Sequence, residues 1–169
     1  SIEAQIELEE IADLKLQIIT PQSSAPIIAI QQDQLLGTWN LSQEYYPVDW
    51  RTTMNLLSGL QLDNFSNIKK NKEYGGKEIY SYLIPQKINL LRGDPSNPKI
   101  FVKNGVMEAG LLGDDALGVK KKNSLVQLVW DEYGVDITKK FIDNTTRLAT
   151  DFNLYHGMSM GIGDLHIPD

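Results

Sequence analysis

The sequence predicts an α+β domain of mixed short strands, hairpins and packed helices, and three features of its patterning carry that prediction. Helical and extended stretches follow one another with no regular βαβ alternation and no internal repeat. An Asn104-Gly105 pair sits between the apolar runs of "KIFVKNGVMEAGLL", as in a two-residue hairpin whose type I′ turn needs positive φ twice. Beyond Asp136, Ile137, Phe141, Leu148, Phe152 and Tyr155 fall on one side of a long helix.

The elements follow in chain order. Residues 2–12 set Ala4, Leu8, Ile11 and Ala12 among Glu3, Glu7, Glu9 and Glu10, which fits an amphipathic helix with an acidic outer face. The alternation of Ile2, Ala4, Ile6 and Leu8 also fits a strand, and both readings stay open. "LKLQIIT" alternates as a strand, Pro21 and Pro26 bracket the turn "PQSSAP", and "IIAI" resumes as a short buried strand. Asp33 is placed to cap a short helix through "QLLGTWNL". Asp49 is placed to cap the next, whose Trp50, Met54 and Leu57 share a stripe.

Residues 61–76, polar and rich in Asn and Lys, read as a long loop closed by Gly75-Gly76. "KEIYSYLIP" is a short helix halted by Pro85. Past the hairpin, Ser124 and Gln127 form a capping box before Leu128 and Val129, and Gly134 ends that helix. Asp136 is placed to cap the long helix, and Gly157 to end it in the left-handed conformation. Met158, Met160 and Ile162 then alternate with small residues, as in a short packed strand.

Composition narrows the function. At 169 residues the chain is one domain, or two small ones sharing a core. The longest apolar runs are short, such as "PIIAI" at 26–30, so nothing in the sequence spans a membrane. The opening "SIEAQIELEE" is acidic, unlike a secretory signal, and lacks an initiator Met, as an excised piece would. Cysteine is absent, which rules out disulfides, thiolate metal sites and Cys nucleophiles. A net charge of −6 argues against a surface that wraps nucleic acid, since phosphate neutralisation needs clustered Lys and Arg. The runs Lys69/Lys70/Lys72 and Lys120/Lys121/Lys122 sit in polar stretches and read as solvated loop tips.

No constellation declares catalysis. "GMSMGIGDL" has glycines at 157, 161 and 163, but no Lys-Ser/Thr follows and Pro168 forbids the helix that a phosphate loop presents. His156 and His166 are too weakly patterned with carboxylates to mark a zinc site. Both histidines lie beyond position 155, so no Ser–His–Asp set can be argued. Asp114-Asp115 in "GLLGDDALG" are explained by the dipole of a helix start rather than as paired catalytic acids.

Read in order, these segments resemble one family, the largest subunit of multisubunit DNA-directed RNA polymerases. "EAQIELEEIADLKLQIITPQSSAPIIAIQQDQLLG" resembles the stretch that follows the catalytic aspartate loop, with its acidic helix, "PQS" and "QD" ending in "G". "GKEIYSYLIP", "NGVMEAGLLGDDALG", "SLVQLVWDEYG" and "FIDNTTRLATDF" are similar to its successive elements, and "GMSMGIGDL" to its G-[FM]-[ST]-x-G-I-x-D junction. The likeness is nearer to archaeal, eukaryotic and large-DNA-virus enzymes than to bacterial ones. It departs at residues 61–74, which match nothing in the family, and at "GLLGDDALG", where the family usually has a Lys after the Asp.

The resemblance implies a pore domain over residues 1–165, with 61–76 a polar loop insertion and 166–169 the start of the funnel. That domain lines the secondary channel through which NTPs reach the active centre and the RNA 3′ end leaves on backtracking. The Mg²⁺-holding aspartates would lie before Ser1, and the trigger loop and bridge helix after Asp169. No catalytic residue, metal or cofactor is then expected in the chain itself; Mg²⁺ belongs to the whole enzyme. Gln22, Ser23, Gln32 and Asp33 are carried over from the "PQS" and "QD" patterns to the active-centre side, although turn formation and capping also explain them. Lys77 or Lys87 would guide NTPs locally. Implied partners are the rest of the largest subunit and the second-largest subunit, with no membrane. The implied location is intracellular: nuclear in a eukaryote, cytoplasm or virion otherwise. Two other readings stand beside this one: a self-contained adaptor or scaffold domain, and a small hydrolase using Asp114/Asp115 or His156/His166.

Overall fold

The core of the structure, a computed structural model that describes residues 1–44, 46–62, 68–159 and 161–165, forms around α7 (Val135–Tyr155). This helix packs against α2 (Gln32–Ser42), α3 (Trp50–Ser58) and α6 (Leu125–Tyr133). Phe141, Leu148 and Phe152 are buried along it, as their spacing requires. Each such side chain contributes about 1.5–3 kcal/mol by leaving water. Ile137 and Tyr155, expected on the same side, are exposed, and Thr138, Asn144, Thr145 and Ala149 complete the buried stripe instead. The polar members are satisfied. Thr138 donates to the Gly134 carbonyl at 2.7 Å, and Thr145 shares a 3.2 Å hydrogen bond with the Tyr80 hydroxyl. The Asn144 amide exchanges bonds with the Gln61 backbone at 3.0 and 3.4 Å.

A three-stranded antiparallel sheet lies beside the helices in the order β3 (Leu90–Asp94), β4 (Asn97–Lys103), β5 (Val106–Gly110). Asn104 and Gly105 have φ of 49° and 77°, so the expected hairpin forms, with Lys103 opposite Val106. The β3–β4 hairpin was not foreseen. Its turn is built locally, the Asp94 carboxylate accepting from the Ser96 amide at 3.0 Å and hydroxyl at 2.6 Å. Short α4 (Gly76–Ser81) joins the two halves, packing on α2 and on β5. The joint is tight: a Cβ at Gly76 would lie 1.6 Å from the Leu41 carbonyl oxygen.

Several local expectations hold. Asp49 caps α3 by accepting from Arg51 N–H at 3.1 Å. The Ser124 hydroxyl accepts from Gln127 N–H at 3.3 Å while the Gln127 side chain accepts from Asn123 N–H at 2.8 Å. Gly134, at φ 78°, ends α6, and α4 stops before Pro85. Asp114 and Asp115 open the short helix α5 (Asp114–Leu117). The "PQSSAP" turn closes a hairpin of β1 (Ile19–Thr20) and β2 (Ala25–Pro26).

Others are corrected. Residues 2–12 settle as α1 (Ile2–Glu10), but none of its residues is buried. Leu14–Gln17 is a 3₁₀ turn rather than a strand, because the Asp13 carboxylate caps it through Lys15 N–H at 3.1 Å. "IIAI" is not a strand: Ile27 and Ile28 N–H both aim at the Ile18 carbonyl, and the ladder ends there. Asp33 and Asp136 do not cap their helices. The N-caps are Gln31 and Gly134, and Gly134 serves α6 and α7 at once, leaving Asp136 inside the first turn. On α3 the buried face is Thr53, Leu56 and Leu57, with Met54 exposed. His156 rather than Gly157 is the C-cap of α7, and Gly157 has no positive φ. Met158 is exposed and Ile162–Leu165 is a 3₁₀ turn rather than part of a packed strand. Gly76 begins α4 rather than closing the loop, and within that loop Tyr74 is fully buried, bridged to Val48. Residues 63–67, Met160 and the expected funnel start at 166–169 lie outside the described residues.

Candidate functional site

The residues carried over as site candidates fall in two places. The first is the exposed end formed by the β1–β2 turn and the start of α2. Pro21 fixes its own φ at the first turn position, and Ser24 closes the turn at φ 50°, its N–H bonded to the Thr20 carbonyl at 2.9 Å. Gln22 is left exposed and Ser23 half-buried. The chain is then pinned from outside: Lys120 N–H donates to the Pro26 carbonyl at 2.7 Å and Ile30 N–H to the Leu117 carbonyl at 3.1 Å. Buried Ile30 thus anchors the entry to α2.

At that entry Gln32 has φ 50°. A glutamine held left-handed costs about 1–2 kcal/mol and persists only where its surroundings impose it. Asp33 follows in the first turn, where its charge meets the positive end of the helix dipole. Its carbonyl accepts from the Asn153 side chain at 2.8 Å, tying the start of α2 to the last turn of α7. Gln32 and Asp33 are both exposed. Among the described residues no hydrogen bond or ion pair joins them to Gln22 or Ser23.

Lys77 is elsewhere. It sits in α4 beside the other end of α2, on the order of 12 Å along the helix axis from Asp33 at 1.5 Å per residue. Its side chain is only 20% exposed and its Nζ lies 3.1 Å from Glu44 Oε1. Lys77 stands at the rim of a cleft floored by Leu83, Met107 and Phe141, with Tyr82 and Tyr133 on its sides. Partial burial, helped by the neighbouring Tyr74 and Glu78, raises the Tyr82 phenol above its ordinary range. The Tyr133 hydroxyl accepts from the Lys87 amide at 3.0 Å, so it is the backbone of Lys87 that meets the cleft wall.

The remaining acidic and basic candidates are occupied. Lys121 Nζ approaches Asp114 at 2.6 Å and Asp115 at 3.7 Å, and Lys99 approaches Asp115 at 3.7 Å. The hydrogen bond that the Lys121 ammonium donates to the Asp114 carboxylate, followed by the charge of Asp114, holds Lys121 above its usual range. His156 is packed between Tyr46 and Phe152, with ring centroids 4.9 and 4.7 Å away. His166 lies outside the described residues. Among the described residues no three His, Asp or Glu side chains converge as a metal site.

Two features escaped the sequence. Nothing marks Gln32 for positive φ, whereas Asn71, Asn104 and Asn123 share that conformation and are residue types that adopt it readily. The cleft was missed because its floor comes from three separate elements; the run "YSYLIP" was the only local hint.

Residues 17–165 match the family RNA polymerase Rpb1, domain 3. The chain is 30% identical over 167 residues to DNA-directed RNA polymerase subunit 1 of Acanthamoeba polyphaga mimivirus. That alignment covers 97% of this chain and 11% of the relative, so the chain spans about a ninth of the length of the protein it matches.

Proposed function

Because the chain belongs to the Rpb1 domain 3 family of RNA polymerase largest subunits, we propose that it forms part of the wall of the secondary channel in a DNA-directed RNA polymerase. In this reading NTPs enter along the wall and the RNA 3′ end leaves along it on backtracking. The parent enzyme carries out nucleotidyl transfer with Mg²⁺ held on other parts of the largest subunit, packed with the second-largest subunit. This segment supplies shape and a few polar contacts but no chemistry of its own.

The observation that carries the proposal is the exposed end made of Gln22, Ser23, Gln32 and Asp33. These are the residues the family resemblance singles out, and one of them, the exposed Gln32, is held in a left-handed conformation that costs stability. Strain of that kind clusters where a side chain must be aimed. Lys77 marks a second stretch of the same wall, its ammonium paired with the Glu44 carboxylate at 3.1 Å.

Gln32→Gly in the parent polymerase separates function from structure. Glycine relieves the left-handed strain, so stability holds or rises by about 1 kcal/mol. Loss of the side chain is expected to raise KM for NTPs, or to alter recovery from backtracking, with Lys70→Ala as a control. Unchanged KM and unchanged recovery would remove Gln32 from the wall. The adaptor reading makes a different forecast, in which the chain stays outside any assembled polymerase.

A further inference from the structure

The hairpin turn at Asn104-Gly105 carries a reaction of its own that its surroundings hold in check. Two left-handed residues are needed there, at φ 49° and 77°, and a Cβ on Gly105 would lie 2.7 Å from the Pro85 carbonyl oxygen. Asparagine tolerates the first position and glycine fits the second. The fold therefore calls for Asn-Gly, the pair most prone to attack itself, because glycine leaves the following nitrogen unhindered. In that reaction hydroxide takes the proton of Gly105 N–H, and the nitrogen attacks Asn104 Cγ. The N–Cγ bond forms, the Cγ–Nδ2 bond breaks, and Nδ2 leaves as ammonia, protonated by water. The product is a five-membered succinimide. Water then opens it at Cγ, giving aspartate, or at the main-chain carbonyl, giving isoaspartate with the chain rerouted through Cβ.

Two features of the turn oppose the attack. A left-handed residue holds ψ at about +30 to +60°, which sets the Gly105 nitrogen on the far side of Asn104 Cα from the Asn104 side chain. The nitrogen's proton is also engaged: Gly105 is buried, and its N–H donates to the Ile88 carbonyl at 2.9 Å. Asn104 N–H is held beside it, donating to Asn89 Oδ1 at 2.9 Å. Asn89 is oriented for this by its Nδ2, which donates to the Lys87 carbonyl at 3.1 Å. The clamp has a firm footing, since Ile88 is buried in the core and Lys87 N–H is fixed to the Tyr133 hydroxyl at 3.0 Å. We propose that Asn104 is a modification site kept silent by this clamp. While Ile88 and Asn89 hold the two amides the asparagine survives, and release of the clamp lets it pass irreversibly to aspartate and isoaspartate. Isoaspartate adds a main-chain atom between Lys103 and Val106, which pair across the turn, so the hairpin cannot close again in register.

The test follows the conversion of Asn104 by peptide-map mass spectrometry at mildly alkaline pH. The assembled parent polymerase is compared with the same protein unfolded in guanidinium and with a synthetic peptide of residues 101–108. Reaction from the folded state is scaled by the opening equilibrium of the clamp. One net hydrogen bond shifts such an equilibrium by about five-fold, so the two clamp bonds predict a rate about 25-fold below the unfolded chain and the peptide. Asn89→Ala removes one acceptor and should restore about five-fold. Asn123, another exposed left-handed asparagine, serves as the internal reference whose rate stays unchanged. Conversion in the folded protein as fast as in the peptide would overturn the proposal. So would an Asn89→Ala rate equal to wild type, or one raised equally at Asn123. If that variant does not assemble, the comparison of folded and unfolded wild type decides.

Discussion

Gly76→Ala tests the joint that sets the distance between the two parts of the candidate site. Gly76 opens α4 against the end of α2, and an added Cβ would sit 1.6 Å from the Leu41 carbonyl oxygen and 2.6 Å from its carbon. Real Cβ atoms essentially never approach closer than 3.0 Å, so α4 and α2 must part by about 1.4 Å or distort. The obstacle is backbone inside a helix, which cannot swing aside as a side chain would. Replacing glycine by alanine in a helix ordinarily gains about 0.4–1 kcal/mol through the unfolded state, whereas overpacking costs about 1–3 kcal/mol. The clash wins, with a net loss of about 1–2 kcal/mol. For a chain of this size that lowers Tm by about 2–8 °C.

Gly75→Ala supplies the matched control, because no atom lies within 4 Å of a Cβ there. Thermal denaturation of both variants, read by circular dichroism, checks the argument. A Gly76→Ala protein melting with or above Gly75→Ala would refute the packing geometry proposed for α2 and α4. The same displacement should also loosen the Lys77–Glu44 pair, since its partners sit on opposite sides of that joint.

Phe152→Ala removes a fully buried ring that also supports His156 at 4.7 Å, and should cost about 3–5 kcal/mol in chemical denaturation. Arg92 donates through both guanidinium arms to the carbonyls of Asp115 and Lys122, tying β3 to the α5–α6 connection; Arg92→Lys cannot make both bonds and should lose about 1 kcal/mol in the same assay. Asp49 is held below its ordinary carboxylate range, chiefly by the Thr52 hydroxyl and then by backbone N–H groups of the α3 start. A depressed folded value means that its cap stabilises the protein above the ordinary aspartate pKa of 3.8 and fades as pH falls through the lower folded value. Asp49→Asn keeps an acceptor without the titration, so its stability should fall less steeply than wild type on acidification below that point.

The parts of the fold legible in the sequence are those set by neighbours in the chain. Asn104-Gly105, the Ser124/Gln127 box, Asp49 and the Phe141/Leu148/Phe152 stripe each act over a few residues, and each forms as expected. What failed turns on which of several competing hydrogen-bonding options the backbone takes. "IIAI" reads as a strand until its amides are found aimed at one carbonyl. Asp136 looks like a cap until Gly134 is seen to serve two helices. The candidate site divides the same way. Glutamine and aspartate in a "QD" pattern were visible, but the left-handed backbone of Gln32 carries no signal in its residue type, and the Asn153 anchor at Asp33 comes from a helix 120 residues away, which no local spacing reports.

The most direct measurement places a photoreactive nucleotide at the RNA 3′ end of a backtracked complex of the parent polymerase and maps the cross-linked residues. Cross-links within the β1–β2 turn or at Gln32 and Asp33 are predicted. A 3′ end that cross-links well to the polymerase, yet never within these 169 residues, would contradict the account.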